Sequence, residues 1–73
     1  MLFGPQAGVI VAVQPIDIHG TRMLDVVFRI DGEAQARSAR LGPEVLPNSL
    51  QPGDRVIVHM LMNVATHIDL DQS

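Results

Sequence analysis

The chain has no cysteine, no lysine, no tryptophan and no tyrosine, and each absence closes a class of chemistry. Without cysteine there is no disulfide, no thiolate ligand for a metal and no thiol redox step. Without lysine, Schiff-base catalysis is excluded by inventory. Phe3 and Phe28 are the only aromatic residues besides the histidines, so the stacking platforms that hold single-stranded nucleic acid are nearly missing. Positive charge is also scarce. Five arginines (Arg22, Arg29, Arg37, Arg40, Arg55) stand against eight carboxylates for a formal net charge of −3, which opposes a nucleic-acid backbone or an anionic membrane at long range. The longest apolar run, Val9 to Val13, falls far short of a bilayer span, so no membrane partner is expected. Met1-Leu2-Phe3 runs into Gly4-Pro5 without the basic and apolar segments of an export signal, and the expected location is cytoplasmic.

What is present is apolar. Hydrophobic residues make up 47% of 73 positions, and a domain of that size has too little interior to hide them all. Small cores are marginal unless a disulfide, a metal or a partner subunit supplements them. With the first unavailable, the sequence predicts a homo-oligomer or another protein partner.

The hydrophobic pattern is that of short strands. Ala7 to Ile18 is rich in β-branched residues, and Pro15, which has no N–H for a ladder, belongs at an edge or a bulge. A turn at His19-Gly20-Thr21 leads to Met23 to Ile30, where Leu24, Val26, Phe28 and Ile30 share one face. Asp31-Gly32 is a strong hairpin signal and predicts a third strand over Glu33 to Leu41. A glycine bulge there would turn Ala34, Ala36 and Ser38 toward the core. Gly42 to Asp54 carries three prolines and two glycines, so it reads as loop with one helical turn near Pro43 to Leu46. Gln51-Pro52-Gly53-Asp54 reads as a type II turn. Arg55 to Met62 alternates Val56, Val58, Met60 and Met62 with Arg55, Ile57, His59 and Leu61, and Thr66 to Leu70 follows a turn at Asn63. The tail Asp71-Gln72-Ser73 should fray. The expected fold is one all-β domain, a five-stranded antiparallel barrel of the OB type, with an SH3-like barrel as the alternative.

Three groups of residues are candidates for a site. Ile57, His59, Met60, Leu61, Met62 and Val64 form an apolar hairpin region with no charge between Arg55 and Asp69, and flexible methionines suit an adaptable contact with another chain. Arg29, Arg37 and Arg40 would line the second hairpin if the chain bound nucleic acid, but a role as solvated partners of Asp25 and Glu33 is the favoured reading. Asp17-x-His19 and His67-x-Asp69 each place two metal-ligating side chains on one face of an extended strand, and His59 could join them. No catalytic residue is expected. Ser38, Ser49 and Ser73 lie in no nucleophile setting, and Asp31 and Glu33 sit in a turn. Nothing in the sequence calls for a cofactor.

Residues 53 to 69, GDRVIVHMLMNVATHID, are similar to the closing strands of the HypC/HupF hydrogenase-maturation chaperones, small OB barrels ending in Gly-Asp, a V-x-V-H strand and a terminal Ile-Asp. The resemblance covers under a quarter of the chain. It implies an OB-like closing hairpin and contact with protein. In that family an N-terminal Met-Cys grips the nascent hydrogenase subunit, whereas position 2 here is Leu2, so no role in hydrogenase assembly carries over.

Overall fold

A long first strand organises the molecule. In a computed structural model, which describes residues 4–71, β1 (Gly4–Ile18) is followed by β2 (Thr21–Ile30), β3 (Arg37–Leu41), a 3-10 turn (Pro43–Val45), β4 (Arg55–Leu61) and β5 (Val64–Leu70). Leu2, Phe3 and the predicted fraying of Gln72 and Ser73 lie outside the described residues. All pairings are antiparallel, in the order β3-β2-β1-β4-β5. The fold is therefore all-β, as the alternation predicts. Closure into a barrel is not complete: β3 and β5 are the two edges of the sheet and approach one another without pairing.

β1 serves two hairpins in succession. It pairs with β2 from Gly8↔Ile30 to Ile18↔Thr21, but with β4 only from Gly4↔Met60 to Val9↔Arg55. Pro15 therefore sits on a stretch whose second edge is open, where a missing N–H costs nothing. The bulge falls at Val11, between Ile10 and Ala12, rather than at Pro15. Its effect is one of parity. Gly8 and Ile10 face inward before it, and the extra residue brings Val13 and Pro15 inward after it, opposite Val26 and Leu24. At the same point the type II turn docks. Gly53 N–H donates to Ile10 O at 2.8 Å, Ile10 N–H donates to Asp54 O at 3.0 Å, and Gly53 supplies the positive φ of 92°.

The inner face is apolar throughout. Val26, Phe28, Val56, Val58 and Ile68 are almost fully buried, with Ile10, Ile30, Leu41, Met60 and Ala65 completing the cluster. Burying a side chain such as Phe28 contributes roughly 2–3 kcal/mol. Among the described residues no polar side chain is buried, and none is left without a hydrogen-bond partner inside. Gly8 is required by proximity: a Cβ there would stand 2.6 Å from Arg29 O.

β3 differs from expectation in both length and register. It begins at Arg37, and Phe28↔Arg37, Val26↔Ala39 and Leu24↔Leu41 place Arg37, Ala39 and Leu41 on the core side instead of Ser38. Ala34 and Ala36 precede the strand. Leu41 decides the register, because it is the one bulky apolar side chain of this segment and its burial outweighs that of alanine or serine. Asp71 is likewise tied down, its N–H donating to Arg55 O at 2.9 Å.

Candidate functional site

The β4–β5 hairpin is closed by a two-residue turn. Leu61 pairs with Val64, and the intervening Met62 and Asn63 both have left-handed backbones, with φ of 52° and 68°. That is a type I′ turn, whose twist matches the strands and whose positions favour asparagine, aspartate and glycine. Asn63 suits it. Met62 does not, since a left-handed backbone costs an ordinary L-residue roughly 1 kcal/mol. Met62 is also 76% exposed, and Leu61 and Val64 beside it are 59% and 61% exposed. Three large apolar side chains thus stand in solvent at one tip.

The other residues expected in this contact region divide between the two faces of the sheet. Met60 is buried at 6% and belongs to the core, which corrects its place in the contact set. The alternation of β4 sends Val56, Val58 and Met60 inward, leaving Ile57 and His59 half-buried on the outer side. There Ile57 lies between Ala7 and Asp69, and His59 between Pro5 and His67.

His59, His67 and Asp69 form a polar cluster next to this apolar strip. Asp69 accepts from both rings, with Oδ1 2.8 Å from His67 Nε2 and Oδ2 3.0 Å from His59 Nε2. The ring centroids are 5.1 Å apart. These two hydrogen bonds, that from His67 the larger, hold the Asp69 carboxyl below the usual aspartate range. Thr66 Oγ1 donates to His59 O at 3.2 Å and fixes the strand where its register slips. Asp17 and His19 do not join this cluster. They lie on the far part of β1 and its turn, beyond the reach of β4, and His19 takes the first position of a second type I′ turn with φ of 51°. Among the described residues no group of three or more histidine or acidic side chains is placed to hold a metal.

The arginines are spread over both faces. Arg40 lies opposite Asp25 on the outer side, with Nε to Oδ1 at 2.9 Å. Arg37 is directed to the core side and clamps Glu33 through two bonds of 3.0 and 2.7 Å. Arg55 grips Asp31 with both terminal nitrogens, Nη1 to Oδ1 at 2.9 Å. The carboxyls of Asp25 and Asp31 are lowered by these hydrogen bonds. Arg29 is exposed and shares no face with Arg37, its neighbour across the register from Phe28. The three arginines considered for nucleic acid therefore make no single stripe.

Sequence reasoning missed one feature, a cleft between the 42–54 connection and the β1–β2 ribbon, lined by Val13, Leu24, Leu46 and Leu50 with Arg22. Its only signal was leucine recurring inside a proline-rich loop. Among the described residues no helix is long and apolar enough to cross a membrane. No family model, curated protein or solved structure matches the chain.

Proposed function

We propose that this chain is a small non-catalytic β-barrel module of the OB type that works by protein–protein contact, and that its first partner is a second copy of itself. The observation that carries the reading is Met62. A turn that favours asparagine or glycine holds an exposed methionine between exposed Leu61 and Val64, so local backbone preference and solvation are both sacrificed at one place. Burial of this tip in an interface removes the solvation penalty. Flexible methionine tolerates the packing a partner presents.

Supporting the OB form is the strand order, in which the first strand lies between the second and the fourth and the edges β3 and β5 face each other. The similarity of residues 53–69 to the closing strands of hydrogenase-maturation chaperones supports the same hairpin and a protein partner. A cytoplasmic setting belongs to the proposal and is consistent with a chain that uses no cysteine. Nucleic-acid binding by Arg29, Arg37 and Arg40 has less behind it, because Glu33 and Asp25 already occupy two of the three.

Sedimentation velocity over a concentration series from low micromolar upward tests the proposal. The expected result is a concentration-dependent shift from monomer to dimer that Met62→Asn weakens. A strict monomer across the series, or self-association indifferent to Leu61, Met62 and Val64, would overturn it.

A further inference from the structure

The cleft lies at the opposite end of β1 from the β4–β5 tip. Beyond the Val11 bulge β1 has no strand on its second edge and β3 flanks β2 only as far as Leu24, and the inner side of the ribbon there is covered by the 42–54 connection. That cover is incomplete and leaves a half-open space of about 410 Å³. Val13, Leu24, Leu46 and Leu50 line it, and all four are half-buried and packed against the core. The cleft is thus a continuation of the hydrophobic interior that opens to water, and its size is within the range of small-molecule sites.

Its polar chemistry is sparse and of one sign. The prolines of the lining have no N–H to offer, and the only polar side chains that line it are those of Arg22, Asn48 and Ser49. Arg22 is the single charged lining residue. Unlike Arg37, Arg40 and Arg55, it forms no ion pair among the described residues. Asp17 stands across the ladder from it, yet the two do not pair. A guanidinium free of a carboxylate, in a chain of net charge −3, has its fork available for an incoming acid.

We infer that this cleft binds a small amphipathic monocarboxylate, its apolar body against Val13, Leu24, Leu46 and Leu50 and its carboxylate on Arg22. One guanidinium matches one planar carboxylate in a bidentate pair. A phosphate dianion is disfavoured, because the nearby Asp17 opposes a second negative charge and no second cation lines the space. The bound body completes the end of the core that the loop leaves open.

The test is a titration of the full chain followed by methyl and amide NMR, with octanoate as the acid and octan-1-ol as its neutral counterpart. Octanoate is expected to shift the methyls of Val13, Leu24, Leu46 and Leu50 saturably, and to bind about tenfold more tightly than the alcohol. Arg22 is exposed, so Arg22→Gln should fold normally and bring the acid down to the affinity of the alcohol. Leu46→Gln should weaken both ligands together, and the unshifted resonances of the β4–β5 hairpin report that the variant is folded. No saturable shift at these methyls, or equal binding of acid and alcohol by the unmutated chain, would overturn the inference.

Discussion

The β1–β2 and β4–β5 hairpins are closed by the same device and present opposite surfaces. His19-Gly20 joins β1 to β2 and Met62-Asn63 joins β4 to β5, each as a two-residue turn with positive φ at both positions. At the first, histidine and glycine accept the left-handed backbone, and the flanking Ile18 is only 37% exposed. At the second, a methionine occupies the demanding position and three apolar side chains extend into solvent. Turn geometry is common to both and so cannot account for the difference. The apolar tip answers to something beyond the hairpin itself.

Changes at either tip, and at the strand they share, can break or sharpen this contrast. The largest effect is expected at Gly8, which faces Ile30 on one side and Val56 on the other and so joins the two hairpins. Gly8→Ala places a methyl against Arg29 O and should destabilise the fold by about 3 kcal/mol, read from urea denaturation. Next is the tip itself. Replacing Leu61 with Thr, Met62 with Asn and Val64 with Thr together should weaken self-association by about a hundredfold in sedimentation equilibrium. Ile18→Thr at the other tip should leave it within about twofold, and equal losses at both tips would erase the contrast. Met62→Asn alone should raise monomer stability by about 0.5–1 kcal/mol, because the turn then holds a residue suited to it. A fall in stability would mean that Met62 packs within its own chain.

The smallest effect is one of pH and separates the β4–β5 hairpin from its counterpart. The carboxyl of Asp69 is lowered in the folded chain by hydrogen bonds from His67 and His59. Its contribution is therefore present above the pKa of an unfolded aspartate and is lost as pH falls through the lower folded value. Asp69→Asn should flatten the acid limb of the stability profile slightly. An acid limb indifferent to Asp69→Asn, in urea denaturation across pH, would remove this carboxylate from the contrast.

How much of this was legible in the sequence depended on contrast between neighbouring residues. In β2 the apolar Leu24, Val26, Phe28 and Ile30 alternate with a face that carries Asp25 and Arg29, and the inward face read from the sequence is the one observed. The proline-glycine turn and the short 3-10 turn were equally readable, because proline and glycine act locally. β3 was misread because alanine and serine differ too little to fix a register, and Leu41 at the far end decides it. The Val11 bulge was invisible because Val9, Ile10, Val11 and Val13 are apolar on both parities. At the candidate sites the same limit applied. The exposed Leu61, Met62 and Val64 were found from composition, whereas Met60 was assigned to the surface when its parity sends it inward. The grouping of His59 with His67 and Asp69, without Asp17 and His19, depends on which stretch of β1 meets β4. That is set by pairing between strands far apart in the chain.

The division of β1 between two partners also dictates an order of assembly. Its pairing with β2 is local and needs only the His19-Gly20 turn to close, whereas its pairing with β4 joins segments separated by most of the intervening chain. During synthesis the first hairpin can form while β4 is still within the ribosome. Until Arg55 to Leu61 have emerged, Ile10, Val26 and Phe28 have no opposite wall. The nascent protein therefore spends an interval as a one-sided sheet with its apolar face uncovered, the stage at which a chaperone or a neighbouring chain would meet it.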